Sequence, residues 1–124
     1  MRRTTAILAG LTALILAVAA AAPAEAGYGA IAYDQNSGKE GASFDQPGPA
    51  RANELALQAC ASPECRVHSV EPKGCGALAT SDTDQAWGGA DRETLDAAKR
   101  DAVAHCQTHT ATGICAVRVS GCNQ

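Results

Sequence analysis

Six cysteines (Cys60, Cys65, Cys75, Cys106, Cys115 and Cys122) and three histidines carry most of the reactive chemistry in this chain of 124 residues. His105 and His109 stand four apart, so on a continuous helix both imidazoles share a face, as a metal site or a hydrolytic centre would require. Only two ligands are evident, and Thr108-His109-Thr110 reads as a fraying helix end, where a histidine also suits the helix dipole. Solvated histidines are the expectation, and no metal is assigned. Asp82, Asp84 and Asp91 invite a calcium loop, but counting from Asp82 puts Trp87 where the turn glycine must stand. A polar hairpin turn accounts for them better. Ser69 follows His68, yet neighbours on a strand point to opposite faces, which argues against direct activation of the hydroxyl. There is no Gly-x-Ser-x-Gly elbow and no Cys-x-x-Cys spacing. Glu40 and Asp45 are ordinary acids beside a hairpin. No catalytic residue and no cofactor is assigned.

The cysteines speak to architecture instead. An even number in a short exported chain reads as a disulfide framework. Export is expected from the start of the chain: Arg2 and Arg3, an apolar run over residues 6–22, and Ala24-Glu25-Ala26 as a small-x-small cleavage site before Gly27. A retained anchor is the competing reading, because that run approaches spanning length, but it is alanine-rich and stops at Pro23. Residues 1–26 are therefore read as a cleaved signal and 27–124 as one domain, destined for secretion, the periplasm or the cell envelope. No later stretch is long and apolar enough to span a membrane. Removing the leader leaves 8 basic and 12 acidic residues, spread out as a solubilising surface, which gives no nucleic-acid footprint. Only 15 large aliphatic or aromatic residues remain, a thin supply for a core, so covalent bridges are needed.

Gly29–Tyr33 and Gly41–Phe44 read as a hairpin around the polar turn Asp34–Gly38. Pro49 opens a helix from about Ala50 to Cys60, with Ala52, Leu55, Ala56, Ala59 and Cys60 on one small-residue face. Cys65–Val70 alternates as a strand. Cys75–Ala79 then parallels Tyr28–Ala32. Trp87 falls roughly where Phe44 stood, Asp91 is placed to cap a second helix from Leu95 to Cys106, and Cys115–Val119 parallels Cys65–His68. The chain is thus expected to be α+β: two β-β-α-β repeats, about 28–74 and 75–122, forming a shared antiparallel sheet covered by two helices and stapled by disulfides. Six cysteines allow 15 connectivities. Equivalence of the halves suggests Cys60–Cys65 and Cys106–Cys115, leaving Cys75 and Cys122 to join the halves.

These features together resemble a bacterial family known as domain of unknown function 4189. The resemblance rests on Tyr28-Gly29-Ala30-Ile31-Ala32, on Ala56–Cys60 leading to Cys65-Arg66-Val67, on Gly74–Ala79, and on the second helix–strand passage ending at Cys122. It implies a small exported protein and brings no catalytic residues with it. The functional expectation is a non-enzymatic interaction or envelope-associated protein with an unknown protein or envelope partner. Its candidate surface is the turn carrying Gln35, Asn36 and Lys39, the turn carrying Asp82 and Asp84, and Trp87 if exposed; burial of Trp87 between helix and sheet is the competing reading. The alternative function is a small secreted hydrolase centred on His105 and His109.

Overall fold

The computed structural model describes residues 27–124; the expected leader, residues 1–26, lies outside the described residues. The order is β1 (Tyr28–Tyr33), β2 (Glu40–Gln46), α1 (Pro49–Cys60), β3 (Arg66–Val70), β4 (Cys75–Ser81), β5 (Trp87–Arg92), α2 (Leu95–Gln107) and β6 (Cys115–Cys122). The α+β class and the twofold β-β-α-β order stand, with a refinement of the sheet. Its strands form two antiparallel ladders, β2-β1-β3 and β5-β4-β6, rather than one continuous sheet.

Alternation along β1 and β4 explains the layering. Ala30 and Ala32 point outward and pack under Ala52, Ala56 and Cys60 of α1. Ala77 and Ala79 do the same under Ala98, Ala102 and Cys106 of α2. The intervening Ile31, Tyr33 and Leu78 point the other way and meet between the sheets, joined by Val70, Phe44 and Val119. The molecule is therefore four layers deep: helix, sheet, sheet, helix. The central strand of each sheet is buried on both faces, which is why it reads as a run of small and apolar residues.

The helices sit unusually close to their sheets. A Cβ at Gly41 would lie 2.3 Å from the Cys60 amide nitrogen and 2.5 Å from the Ala56 carbonyl oxygen. At Gly88 it would lie 2.2 Å from the Cys106 nitrogen and 2.6 Å from the Ala102 oxygen. Glycine is required at both places because helix backbone rests directly on strand backbone. In register, Gly41 faces Ala32 and Gly88 faces Ala79, so these positions correspond between the units. That pairing also corrects the place of Trp87, which stands opposite Thr80 as Glu40 stands opposite Tyr33; Phe44 is not its counterpart.

The helix ends follow local chemistry. Pro49 begins α1 without a side-chain cap, and Ala61 ends it in the left-handed region (φ 55°), donating its N–H to the Leu57 carbonyl at 3.1 Å. For α2 the cap is Thr94, whose hydroxyl accepts the Ala97 N–H at 3.2 Å. Asp91 is still in β5, three residues too early, and its carboxylate accepts the Glu71 N–H.

Disulfides join Cys60 to Cys65 and Cys106 to Cys115, tying each helix end to the strand that follows. Cys75 and Cys122 are bonded as register partners on β4 and β6, so this bridge closes the second sheet and does not join the halves. Noncovalent contacts do that work. Asn123, buried just past β6, accepts the Asp45 N–H and donates to the Val70 and Glu71 carbonyls. On the same side Phe44 lies over Gly121, where any side chain would strike its ring. Arg118 reaches Glu40 at 3.4 Å across the sheets.

Replacing Gly88 with alanine forces α2 off β5 and is expected to cost about 1–3 kcal/mol in urea unfolding. Gly89→Ala, whose Cβ would meet nothing closer than 3.7 Å, is the control and should shift stability by less than ~1 kcal/mol, because the methyl fits and otherwise only restricts the unfolded chain.

Candidate functional site

The two sheets close tightly on the β2/β6 side and part on the β3/β5 side. There the molecule carries three adjoining depressions of about 870, 410 and 570 Å³, and Trp87 borders all of them. The cause lies in β5. Gly88 faces α2, so Trp87 and Gly89 on either side of it face the opposite way, toward the first sheet. The glycine leaves space, and the indole stands at its edge.

Trp87 is half-buried, against Tyr33 of β1 and His68 of β3, with ring centroids 5.8 and 5.0 Å away. It is thus set between the two sheets rather than between helix and sheet. Its indole N–H donates to the Gln35 side-chain carbonyl at 3.3 Å, which fixes the ring plane across the seam. His68 keeps one edge open to solvent, yet burial of the ring pushes its pKa below the ordinary histidine value, favouring the neutral imidazole.

One end of the groove is shaped by the turn after β1. The buried Asp34 carboxylate accepts hydrogen bonds from the Ser62 hydroxyl at 2.6 Å, the Ser37 hydroxyl at 2.7 Å and the Asn36 N–H at 2.9 Å. These bonds, led by Ser62 and Ser37, hold its pKa down to about 2. Because the folded value lies below the unfolded one, the clamp stabilises the fold fully above the ordinary carboxylate range and loses its effect as pH falls toward 2. Asn36 in turn donates to Glu64 at 2.7 Å, on the loop leading into β3. At the other end Asp84 accepts the Thr110 hydroxyl at 2.6 Å and the Ala86 N–H at 3.0 Å, and the former lowers its pKa most.

His105 and His109 border the same end, with ring centroids 5.0 Å apart, and one ring nitrogen of His105 lies 3.3 Å from the Gly89 carbonyl oxygen. Among the described residues no group of three or more potential metal ligands converges. Of the surface residues singled out from sequence, Gln35, Asn36, Asp84 and Trp87 gather at the groove. Lys39 and Asp82 do not: Lys39 reaches the Ala61 carbonyl, and Asp82 accepts the Ile114 N–H. Tyr33, Glu64, Arg66 and His68 are groove residues that sequence reasoning missed. The available signal was His68, placed by alternation on the face of β3 opposite Val67.

Layers, bridges and groove together define a small disulfide-stapled α+β domain of two β-β-α-β units. The chain belongs to the family described as Domain of unknown function (DUF4189), whose model matches residues 28–122. Protein Rv1269c of Mycobacterium tuberculosis (strain H37Rv) and Protein Mb1300c of Mycobacterium bovis are each 41% identical to it over 76 residues. That match covers 61% of this chain and 58% of each relative, so the chain spans somewhat over half the length of these curated relatives. The NMR structure of Rv1813c from Mycobacterium tuberculosis is similar over 99% of both chains, at 26% identity and a TM-score of 0.59.

Trp87 is the only tryptophan, so emission excited selectively at the indole reports this groove alone. Protonated imidazole quenches a contacting indole, and the emission is expected to fall on acidification with a midpoint below the ordinary histidine value of about 6.5. A pH titration of His68→Gln should lack that step; an unchanged step would place the quencher elsewhere.

Proposed function

We propose that this is an exported, non-enzymatic binding module, released from its leader before Gly27 and recognising a partner in the cell envelope or outside the cell through the groove around Trp87. Three disulfides suit an oxidising compartment, and among the described residues no helix is long and apolar enough to cross a membrane. The two units, about 28–74 and 75–122, are read as repeats of one ancestral element, on the strength of Gly41 and Gly88 meeting equivalent helix atoms.

The observation that carries a binding role is the state of the groove's polar groups. Asp34, Glu64, Asp84 and Asp91 all accept hydrogen bonds from the protein itself, as does the Gly89 carbonyl region beside His105. Groups held this way form a rigid, preorganised surface, which lowers the ordering cost of association. A general base, by contrast, needs to reach a substrate proton. A half-buried tryptophan at the centre of a groove is also the residue type that most often dominates recognition.

The mature, oxidised protein is expected to bind an envelope fraction of its own bacterium saturably, and Trp87→Ala should weaken that binding at least about tenfold, as for a central hot spot. Pull-down followed by quantitative binding checks this, with circular dichroism confirming that the variant is folded. Equal binding by a folded Trp87→Ala would contradict the reading.

A further inference from the structure

The groove lies between the edge strands of the two sheets, β3 and β5, and β3 turns its edge toward it. Residues 63–70 border it consecutively. A strand that lines a depression with one face contributes alternate residues; a strand that contributes every residue presents its edge. Among the described residues β3 pairs only with β1, which leaves its other edge open there. At the far end of that edge, Asp91 of β5 already takes the Glu71 N–H. Along 66–69 no hydrogen bond from elsewhere in the described residues reaches the outer edge. Such an edge is a template for one more strand. On the opposite side of the molecule the sheets are shut by Phe44, Arg118 and Glu40, so this edge differs from its counterpart there.

The charge of the groove narrows the occupant. Among the described residues four carboxylates border it, those of Asp34, Glu64, Asp84 and Asp91, against the one guanidinium of Arg66. Burial keeps His68 toward its neutral form and adds no compensating charge. The half-buried indole at the centre also suits a cation beside its open face, while the floor, Val67 and Ala90 over the buried Ile31, Val70 and Leu78, suits apolar side chains.

From the open edge and this charge balance, we propose that the groove takes an extended, basic polypeptide segment of a partner protein, added as a fourth strand beside β3. Alternate side chains of the segment turn to the apolar floor, and its Lys or Arg residues meet Trp87 and the acidic rim. This rests on the binding role proposed above and names its partner class.

The test uses the mature, oxidised protein and a synthetic decapeptide alternating Val with Lys and Arg. Four comparators accompany it: the same peptide with Glu for each cation, the same peptide N-methylated at alternate residues in each of the two registers, and a neutral oligosaccharide. Trp87 fluorescence gives affinity, and amide hydrogen exchange gives location. The basic peptide should bind, weaken several-fold as salt is raised from about 0.05 to 0.3 M, and protect amides within residues 66–69. Glu64→Gln with Asp84→Asn, which keeps the acceptor oxygens, should weaken it about threefold to tenfold. The Glu peptide should bind far more weakly, and of the two possible N-methyl registers, the one that blocks the strand-facing amides should abolish binding. Equal binding of acidic and basic peptides, indifference to N-methylation in both registers, or preference for the oligosaccharide would overturn the proposal. If envelope binding is still lost in Trp87→Ala but resists protease and is destroyed by periodate, the groove reading stands and the polypeptide inference falls. If Trp87→Ala alters no binding at all, the groove reading itself falls.

Discussion

Backbone-on-backbone contact between helix and sheet, made possible by Gly41 and Gly88, is the constraint on which the structure depends. With so few large apolar residues, the domain cannot fill a wide gap between layers. It narrows the gap instead. Alanines on α1 and α2 meet alanines on β1 and β4, and each helix descends until its backbone reaches a glycine. Close packing of small groups recovers dispersion contacts that a loose alanine interface would forfeit. The contact holds only while each helix keeps its depth and rotation. The bridges from Cys60 to Cys65 and from Cys106 to Cys115 are placed at the helix ends that enforce this.

The same economy produces the groove. The larger side chains, Ile31, Tyr33, Phe44, Leu78, Trp87 and Val119, are spent between the sheets, and there are too few to fill that layer evenly. Phe44 over Gly121 and the Asn123 clamp draw one side shut. On the other side Gly89 leaves room, and Trp87 with His68 and Tyr33 forms a prop rather than a seal. A recognition surface is thus a by-product of where the core runs out of volume, then shaped by hydrogen-bonded turns at both ends.

Much of the architecture was legible in the sequence because its signals are local. Proline before a small-residue helical face, alternation ending in cysteine, and a second copy of the same order located α1, α2 and most strands. What was not legible depends on long-range geometry. Two ladders and one shared sheet use the same strands in the same order, and which strands pair across the halves leaves no local mark on any of them. Cys75 and Cys122 were legible as a remaining pair, but their cross-strand register within one sheet was not. Matching aromatics set Trp87 against Phe44, whereas the backbone aligns Gly88 with Gly41 and moves Trp87 to the place of Glu40. Asp91 and Thr94 are both good caps in sequence, and the length of β5 decides between them. At the groove, the turn residues Gln35, Asn36 and Asp84 were visible as polar loops, but Tyr33, Glu64, Arg66 and His68 join them only through the approach of the two sheets.

If helix depth is fixed by bridges because the core is thin, the most direct measurement is urea unfolding of residues 27–124 with disulfides intact and after full reduction. Each bridge is worth roughly 2–4 kcal/mol, and small domains have only about 5–15 kcal/mol in total. The account predicts one cooperative transition for the oxidised protein and a chain largely unfolded without urea once reduced. A reduced protein that unfolds cooperatively at the same urea midpoint would contradict it.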